Sequence, residues 1–293
     1  MTENINLPKV KGEYKFDAKI INWFDLKGRA EIMFKPYDIE DLSFFLKNID
    51  KKIRVQVIGA GSNVIIADEG VGGVLIKLSN NFLNIDYYEG TLVIGASVPC
   101  QNVAKYCQEL GLGGLEFLSG IPGNIGGAIA MNAGCYDNDI SNNLISARAV
   151  DYDGNIVEIK NQDFEFYYRG SKISKKFIFC QGVFKVQKST ALEVGNKIIE
   201  LQNKRELAQP IRAKTGGSTF KNPPHIKAWQ LIDDVGFRGK ILGGAQFSDK
   251  HCNFLININN ATAKDLIDLG NSAKAKVLSK HNIDLEWEIK YLK

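Results

Sequence analysis

Residues 111–134 read GLGGLEFLSGIPGNIGGAIAMNAG, in which eight of 24 positions are glycine and only Pro122 is proline. Leu, Ile, Phe, Met and Ala fill the gaps, a composition unlike that of a flexible linker. The segment reads as buried, tightly turned backbone. Glycine permits positive φ and close approach of another group to the main chain. Successive N–H groups in such turns form an anion cradle. The same glycines would also serve close packing of a loop on a helix. The segment therefore offers two readings, a phosphate-bearing ligand or tight packing, and the rest of the chain must weigh them.

The bulk composition narrows the field. The chain has 293 residues, 44% hydrophobic and 24% charged, enough for a core of ordinary size in one large domain or two to three small ones. The net charge is +4 and no block of five or six like charges occurs, which favours a small anionic ligand over nucleic acid. Five cysteines (100, 107, 135, 180 and 252) form no CxxC, so free thiols in a reducing compartment are expected. His225, His251 and His281 show no metal-ligand spacing, and no metal is expected. The first sixteen residues, MTENINLPKVKGEYKF, lack the apolar stretch of a secretory signal. No apolar run approaches 18 residues, so no span of a membrane is expected, and the location expected is cytoplasmic.

Patterning places the elements. IRVQVI (53–58) reads as a buried strand that runs into the turn GAGSN at 59–63. Two short apolar runs follow, at 64–66 and 74–78. A helix is expected over 98–110, opened by Pro99 and closed by Gly111, with Val103, Tyr106, Cys107 and Leu110 as its apolar stripe. Residues 145–160 predict a hairpin around Asp153-Gly154, and 177–186 a further strand. Helices are expected at 191–207, at 227–235 and from a Thr262–Asp265 capping pair to about Lys280. At the end, Ile283, Leu285, Trp287, Ile289 and Tyr291 alternate with Asp284, Glu286, Glu288 and Lys290, the pattern of a half-buried strand. Composition shifts near 188, and the boundaries expected are 1–80, 81–190 and 191–293.

Gly59-Ala60-Gly61 after a strand invites comparison with a dinucleotide fingerprint. The comparison fails, because Val64 stands where the third glycine belongs and DEGVGG breaks any helix that would hold the pyrophosphate. No Walker A sequence occurs. GAGSN is thus a phosphate-turn candidate outside the two commonest nucleotide folds, and two glycine turns in one half of a chain suit a long diphosphate ligand.

Six segments then occur in a telling order. They are GAGSN (59–63), GIPGNIGGAIAMNAG (120–134), YRGS (168–171), GGSTFKNP (216–223), GGAQFSDKHCNFLIN (243–257) and LEWEI (285–289). This order resembles the UDP-N-acetylenolpyruvoylglucosamine reductases over roughly residues 18–290. The spacing of 49 positions between Arg169 and Ser218 resembles the shorter branch of that family, which lacks an extra tyrosine loop. The resemblance implies an α+β fold: a vanillyl-alcohol-oxidase-like (PCMH-type) FAD-binding region of two subdomains (1–80 and 81–190) and a C-terminal α+β substrate domain (191–293). It implies non-covalent FAD, NADPH as hydride donor, a UDP-sugar substrate, no nucleic-acid or membrane partner, and a monomer.

By the same resemblance, Gly59, Ala60, Gly61, Ser62, Asn63, Gly120, Ile121, Pro122, Gly123, Gly126 and Gly127 are expected at the flavin. Arg169 resembles the family's active-site arginine, Ser218 its proton donor and Glu288 its catalytic glutamate. Tyr168, Lys221 and Asn222 are expected at the substrate. Each has a plainer reading from the residues alone: a surface arginine after a strand, a serine in a glycine turn, a solvated strand face, edge packing for Tyr168, and a capped turn for Lys221 and Asn222. Strand periodicity leaves Glu286 and Glu288 equivalent; only the motif's register selects Glu288, whose pKa is expected to be raised beside a carboxylate substrate. Two departures from the family pattern stand out: Lys27 where a glycine is usual after Trp23-Phe24, and Asp137 where Ala-Tyr-Gly is usual and Cys135-Tyr136-Asp137 is found. Two other readings remain open. One is a flavin oxidase of the same superfamily, although no histidine lies in the first 224 residues to tether a flavin. The other is a non-catalytic nucleotide-sugar binder, which would be colourless.

Overall fold

A computed structural model describes residues 6–293 as two compact units. The first comprises residues up to Phe16, Ile32–Ala60 and Gly73–Asn203; the second comprises Asp17–Glu31, Gly61–Gly72 and Lys204–Lys293.

The first unit is built on a five-stranded antiparallel sheet, in the order Ile156–Lys160, Leu144–Asp151, Phe177–Lys185, Thr91–Gly95, Ile85–Tyr88. The hairpin expected around Asp153-Gly154 is its edge, and Gly154 takes the φ of +86° that such a turn needs. Helix Cys100–Leu110 begins after Pro99 and ends on Gly111 in the left-handed conformation. Its stripe is narrower than the pattern suggests: Val103 and Cys107 are fully buried, but Leu110 at the last turn is exposed. These residues join Leu115, Phe117, Leu118, Ile125, Ile129 and Phe184 in one core, so the glycine-rich segment does lie inside the fold. A second core gathers Phe34, Leu42 and Phe45 around helix Ile39–Asn48. Burial pushes the Cys100, Cys107 and Cys180 thiols up to about 12, which leaves them inert packing groups. The strand expected over 53–58 is shorter, Val55–Val57, and half-buried; only Ile58 is fully covered.

The second unit carries a four-stranded antiparallel sheet, ordered Thr215–Ser218, Phe254–Asn257, Ala245–Phe247, Ile241–Leu242. Helices Ala228–Asp234 and Ala263–His281 bury Leu231, Ile232, Leu266, Leu269 and Val277 in the same core as Phe220, Phe247 and Leu255. The Thr262–Asp265 pair forms a reciprocal capping box, with the Asp265 amide 3.0 Å from Thr262 Oγ1 and the Thr262 amide 3.0 Å from Asp265 Oδ2. Asp68 accepts the Ala263 and Lys264 amides as well.

The C-terminal alternation is real but it is not one strand. Trp287 bridges antiparallel to Phe220, whereas Lys290–Leu292 pairs parallel to Val64–Ile66. A chain that changes partners must bend between them. Leu285 and Ile289 keep their buried positions, but Tyr291 beyond the bend is 43% exposed rather than inward-facing.

Among the described residues, no helix is long and apolar enough to cross a membrane. Thr262→Ala should lower unfolding stability by about 1 kcal/mol, read as a shift in the urea midpoint at unchanged slope.

Candidate active site

The turn 59–63 divides its glycines by purpose. A Cβ on Gly61, at φ +70°, would lie 2.4 Å from the Ile21 carbonyl oxygen and 2.9 Å from Asn22 Cα, so that glycine is required by the protein's own backbone. Gly61 also accepts the Trp23 amide at 2.9 Å. A Cβ on Gly59 would meet no protein atom within 4 Å. Asn63 donates from Nδ2 to the Glu288 carbonyl at 3.2 Å and accepts the Lys290 amide at 3.0 Å. It thereby fixes the C-terminal strand as well as the turn.

The 111–134 segment sorts in the same way. Gly126 opens helix Ile125–Met131, where a Cβ would sit 2.9 Å from Ala96 Cβ and 3.2 Å from the Phe179 carbonyl. A Cβ on Gly120 would press on Cys135 Sγ at 3.2 Å. The Ile121, Ile125 and Gly126 amides donate to the Leu118, Val98 and Ala96 carbonyls, so the open run of N–H groups expected along the segment is not continuous. Gly123 takes φ +124°, and its carbonyl accepts the Cys100 amide at 2.9 Å. Gly127 is exposed, and a Cβ there would meet nothing within 4 Å. Packing and ligand space are thus both present, in adjacent glycines. The open positions Gly59 and Gly127 fit a cofactor that approaches the main chain. Asp137 takes φ +61°, in the left-handed region that favours glycine and that aspartate tolerates better than most residues.

Arg169 occupies an unusual conformation. Phe166–Tyr167 pairs with Gly170–Ser171, so Tyr168-Arg169 is the two-residue turn of a small hairpin. Arg169 has φ +60°, a region that costs free energy for a residue with a long side chain. Its Nη2 donates to the Gly134 carbonyl at 2.7 Å, and the guanidinium lies 4.8 Å from the ring centroid of Tyr168, itself 47% exposed. Strain of this kind concentrates at working sites.

In the second unit the strand that carries Ser218 lies beside the segment that carries Glu288. Between Thr215 and Ser218 the register of the strand slips. Gly217 absorbs the slip at φ +83°, and its missing side chain leaves open space, whereas Gly216 is filled by the Phe24 ring. The next residue, Thr219, donates its amide to the Asn253 carbonyl at 2.7 Å and accepts the Glu288 amide at 2.9 Å. Asn253 also grips Phe220 through both ends of its amide, at 3.0 and 2.8 Å. Half-buried Ser218 is therefore one residue from a doubly anchored position, and half-buried Glu288 is one hydrogen bond away along the backbone. The structure separates the two glutamates that periodicity left equivalent. Glu286 is exposed and its carboxylate meets Lys221 Nζ at 2.7 Å. Asn222 Oδ1 accepts the Ala228 amide at 3.0 Å at the start of helix Ala228–Asp234. His251 packs on Phe254 and Trp229, and burial lowers its pKa, so it is a neutral packing ring. Among the described residues, no group of three or more His, Cys, Asp or Glu could hold a metal ion.

The most consequential residue without a role in the sequence reading is Asn132, 2% exposed at the left-handed end of helix Ile125–Met131. An asparagine closing a helical run is a recognisable stop signal, but its side-chain partners are remote in sequence.

Comparison with known proteins identifies the family. Residues 209–292 match the UDP-N-acetylenolpyruvoylglucosamine reductase C-terminal domain, and residues 30–160 match an FAD binding domain. A UDP-N-acetylenolpyruvoylglucosamine reductase of Rickettsia felis is 46% identical over 288 residues, covering 98% of both chains. The chain belongs to the UDP-N-acetylenolpyruvoylglucosamine reductase family. A relative in Rickettsia typhi is 45% identical over 97% of each chain. The crystal structure of UDP-N-acetylenolpyruvylglucosamine reductase from Thermus caldophilus superposes with a TM-score of 0.83 at 28% identity, over 97% of this chain and all of that one. The 6-hydroxy-D-nicotine oxidase of Arthrobacter nicotinovorans, 14% identical, shares the fold over 63% of this chain and 44% of its own, with a TM-score of 0.50. The reductase fold is thus the α+β flavin-binding architecture with an added C-terminal domain.

The two adjacent glycines give a paired test. Gly126→Ala should destabilise the apoprotein by about 1–3 kcal/mol through overpacking. Gly127→Ala should leave it unchanged or raise its stability by up to about 1 kcal/mol, yet lower the fraction of protein isolated with flavin.

Proposed function

We propose that this chain reduces the enolpyruvyl ether of UDP-N-acetyl-3-O-(1-carboxyvinyl)glucosamine to the lactyl ether of UDP-N-acetylmuramate, for peptidoglycan synthesis. FAD, held without a covalent bond against glycine turns such as those at Gly59 and Gly127, would provide the hydride chemistry that links NADPH to the terminal alkene carbon. The observation that carries this reading is end-to-end membership of the reductase family, supported by the backbone hydrogen bond that joins Glu288 to Thr219, the residue after Ser218.

The remaining roles fall to side chains. Hydride addition at the terminal carbon leaves negative charge on its neighbour, delocalised into the carboxylate. Arg169 binds that carboxylate, because a guanidinium is always charged and offers two parallel donors. Ser218 gives the proton to the neighbouring carbon. A hydroxyl is a weak acid, but an enediolate is basic enough to take its proton. Glu288 is the second acid–base group at that carbon. Tyr168, Lys221 and Asn222 contact the nucleotide sugar. Gly59, Ala60, Gly61, Ser62, Asn63, Gly120, Ile121, Pro122, Gly123, Gly126 and Gly127 line the flavin, which occupies the regions 1–80 and 81–190; residues 191–293 take the substrate. The protein works as a cytoplasmic monomer, and through the cell wall it supports cell shape and division.

Ser218→Ala should retain flavin reduction by NADPH and lose turnover with the nucleotide sugar by roughly 10²-fold or more, the worth of a positioned general acid. Stopped-flow absorbance separates the two half-reactions. Normal turnover in the variant would remove Ser218 as the donor.

A further inference from the structure

We infer that Asn132 is a positioning residue for Arg169, and that the last turn of the glycine-rich segment sets the arginine's place at the substrate carboxylate. This rests on the role proposed above for Arg169.

Asn132 closes helix Ile125–Met131 at φ +42°, with its backbone amide bonded into the helix. Its side chain is buried and uses every polar atom. Nδ2 donates to the Tyr167 carbonyl and to Asp139 Oδ2, both at 3.2 Å, and Oδ1 accepts the Ser141 amide at 3.0 Å. Tyr167 is the last strand residue before the Tyr168-Arg169 turn. The amide therefore ties the hairpin backbone to the helix just upstream of the arginine.

Two residues after Asn132, the Gly134 carbonyl accepts Arg169 Nη2 at 2.7 Å. Gly134 cannot carry a side chain, since a Cβ would fall 2.4 Å from both the Asn138 carbonyl and Asp139 Cβ. Asp139 is also its strand partner. One short stretch, Asn132 to Gly134, thus holds Arg169 at both ends, by its backbone and by its guanidinium. A long side chain at φ +60° persists only where its surroundings over-determine it. These two ties supply that constraint. Without the Tyr167 tie the turn relaxes, and the guanidinium no longer presents a fixed pair of donors.

Asn132→Gly isolates the side chain, because glycine accepts the left-handed cap conformation. The test is a double-mutant cycle with Arg169→Ala, read as affinity for the enolpyruvyl nucleotide sugar without NADPH, alongside turnover, flavin content and melting temperature. We expect Asn132→Gly to weaken binding and lower kcat/KM about tenfold, the scale of one lost buried hydrogen bond. In the Arg169→Ala background the same change should cost less than about twofold. Equal losses in both backgrounds would show a merely structural role and overturn the inference, as would undiminished binding in Asn132→Gly. Near-normal turnover of Arg169→Ala alone would instead refute the role given to Arg169, and the inference with it.

Discussion

Helix Ile125–Met131 lies so close to the Ala96 and Phe179 backbone that its first glycine, Gly126, has no room for a Cβ. Much of the first unit's candidate site follows from that approach. It commits the Ile125 and Gly126 amides to the Val98 and Ala96 carbonyls. It sets Gly127 outward, where an absent side chain leaves space for a ligand. The helix then ends at Asn132, in the left-handed conformation, and the chain turns toward Gly134 and the arginine hairpin. One short helix thereby carries an open glycine in its first turn and, through Asn132 and the Gly134 that follows, holds the arginine hairpin beyond its last.

The second unit reaches a comparable result with a different device. Asn253 makes two side-chain bonds to Phe220 and accepts the Thr219 amide, while Thr219 accepts the Glu288 amide. A register slip at Gly216-Gly217 lies between two paired positions, Thr215 opposite Ile256 and Ser218 opposite Phe254. Most of the cost of that slip is met by glycine's conformational freedom at Gly217, so the neighbouring strands stay regular. Ser218 thus follows directly on an irregular pair of glycines and is itself held by pairing to Phe254.

Local signals were legible in the sequence. The Thr262–Asp265 box, the Asp153-Gly154 hairpin and the Gly111 stop each depend on a few adjacent residues, and each is present in the fold. Signals that depend on remote partners were not. The path of residues 283–291 follows from two different partners, Phe220 and Val64–Ile66, and alternation alone reports neither. The same holds for Glu286, which strand periodicity leaves equivalent to Glu288 and which Lys221 takes as an ion pair. Glycine identity shows where a Cβ is missing but not what fills its place. Hence Gly126 and Gly127 read alike in sequence, yet a Cβ would collide at the first and meet nothing at the second. The family motifs supplied the candidate residues; the strain at Arg169 and the hold of Asn132 are visible only in three dimensions.

The most direct measurement is an anaerobic two-step titration of the flavin-bound protein. The account predicts that NADPH bleaches the yellow colour, and that the enolpyruvyl nucleotide sugar alone restores it with release of UDP-N-acetylmuramate. A protein that holds no flavin, or one whose colour returns only when oxygen is admitted, would contradict it.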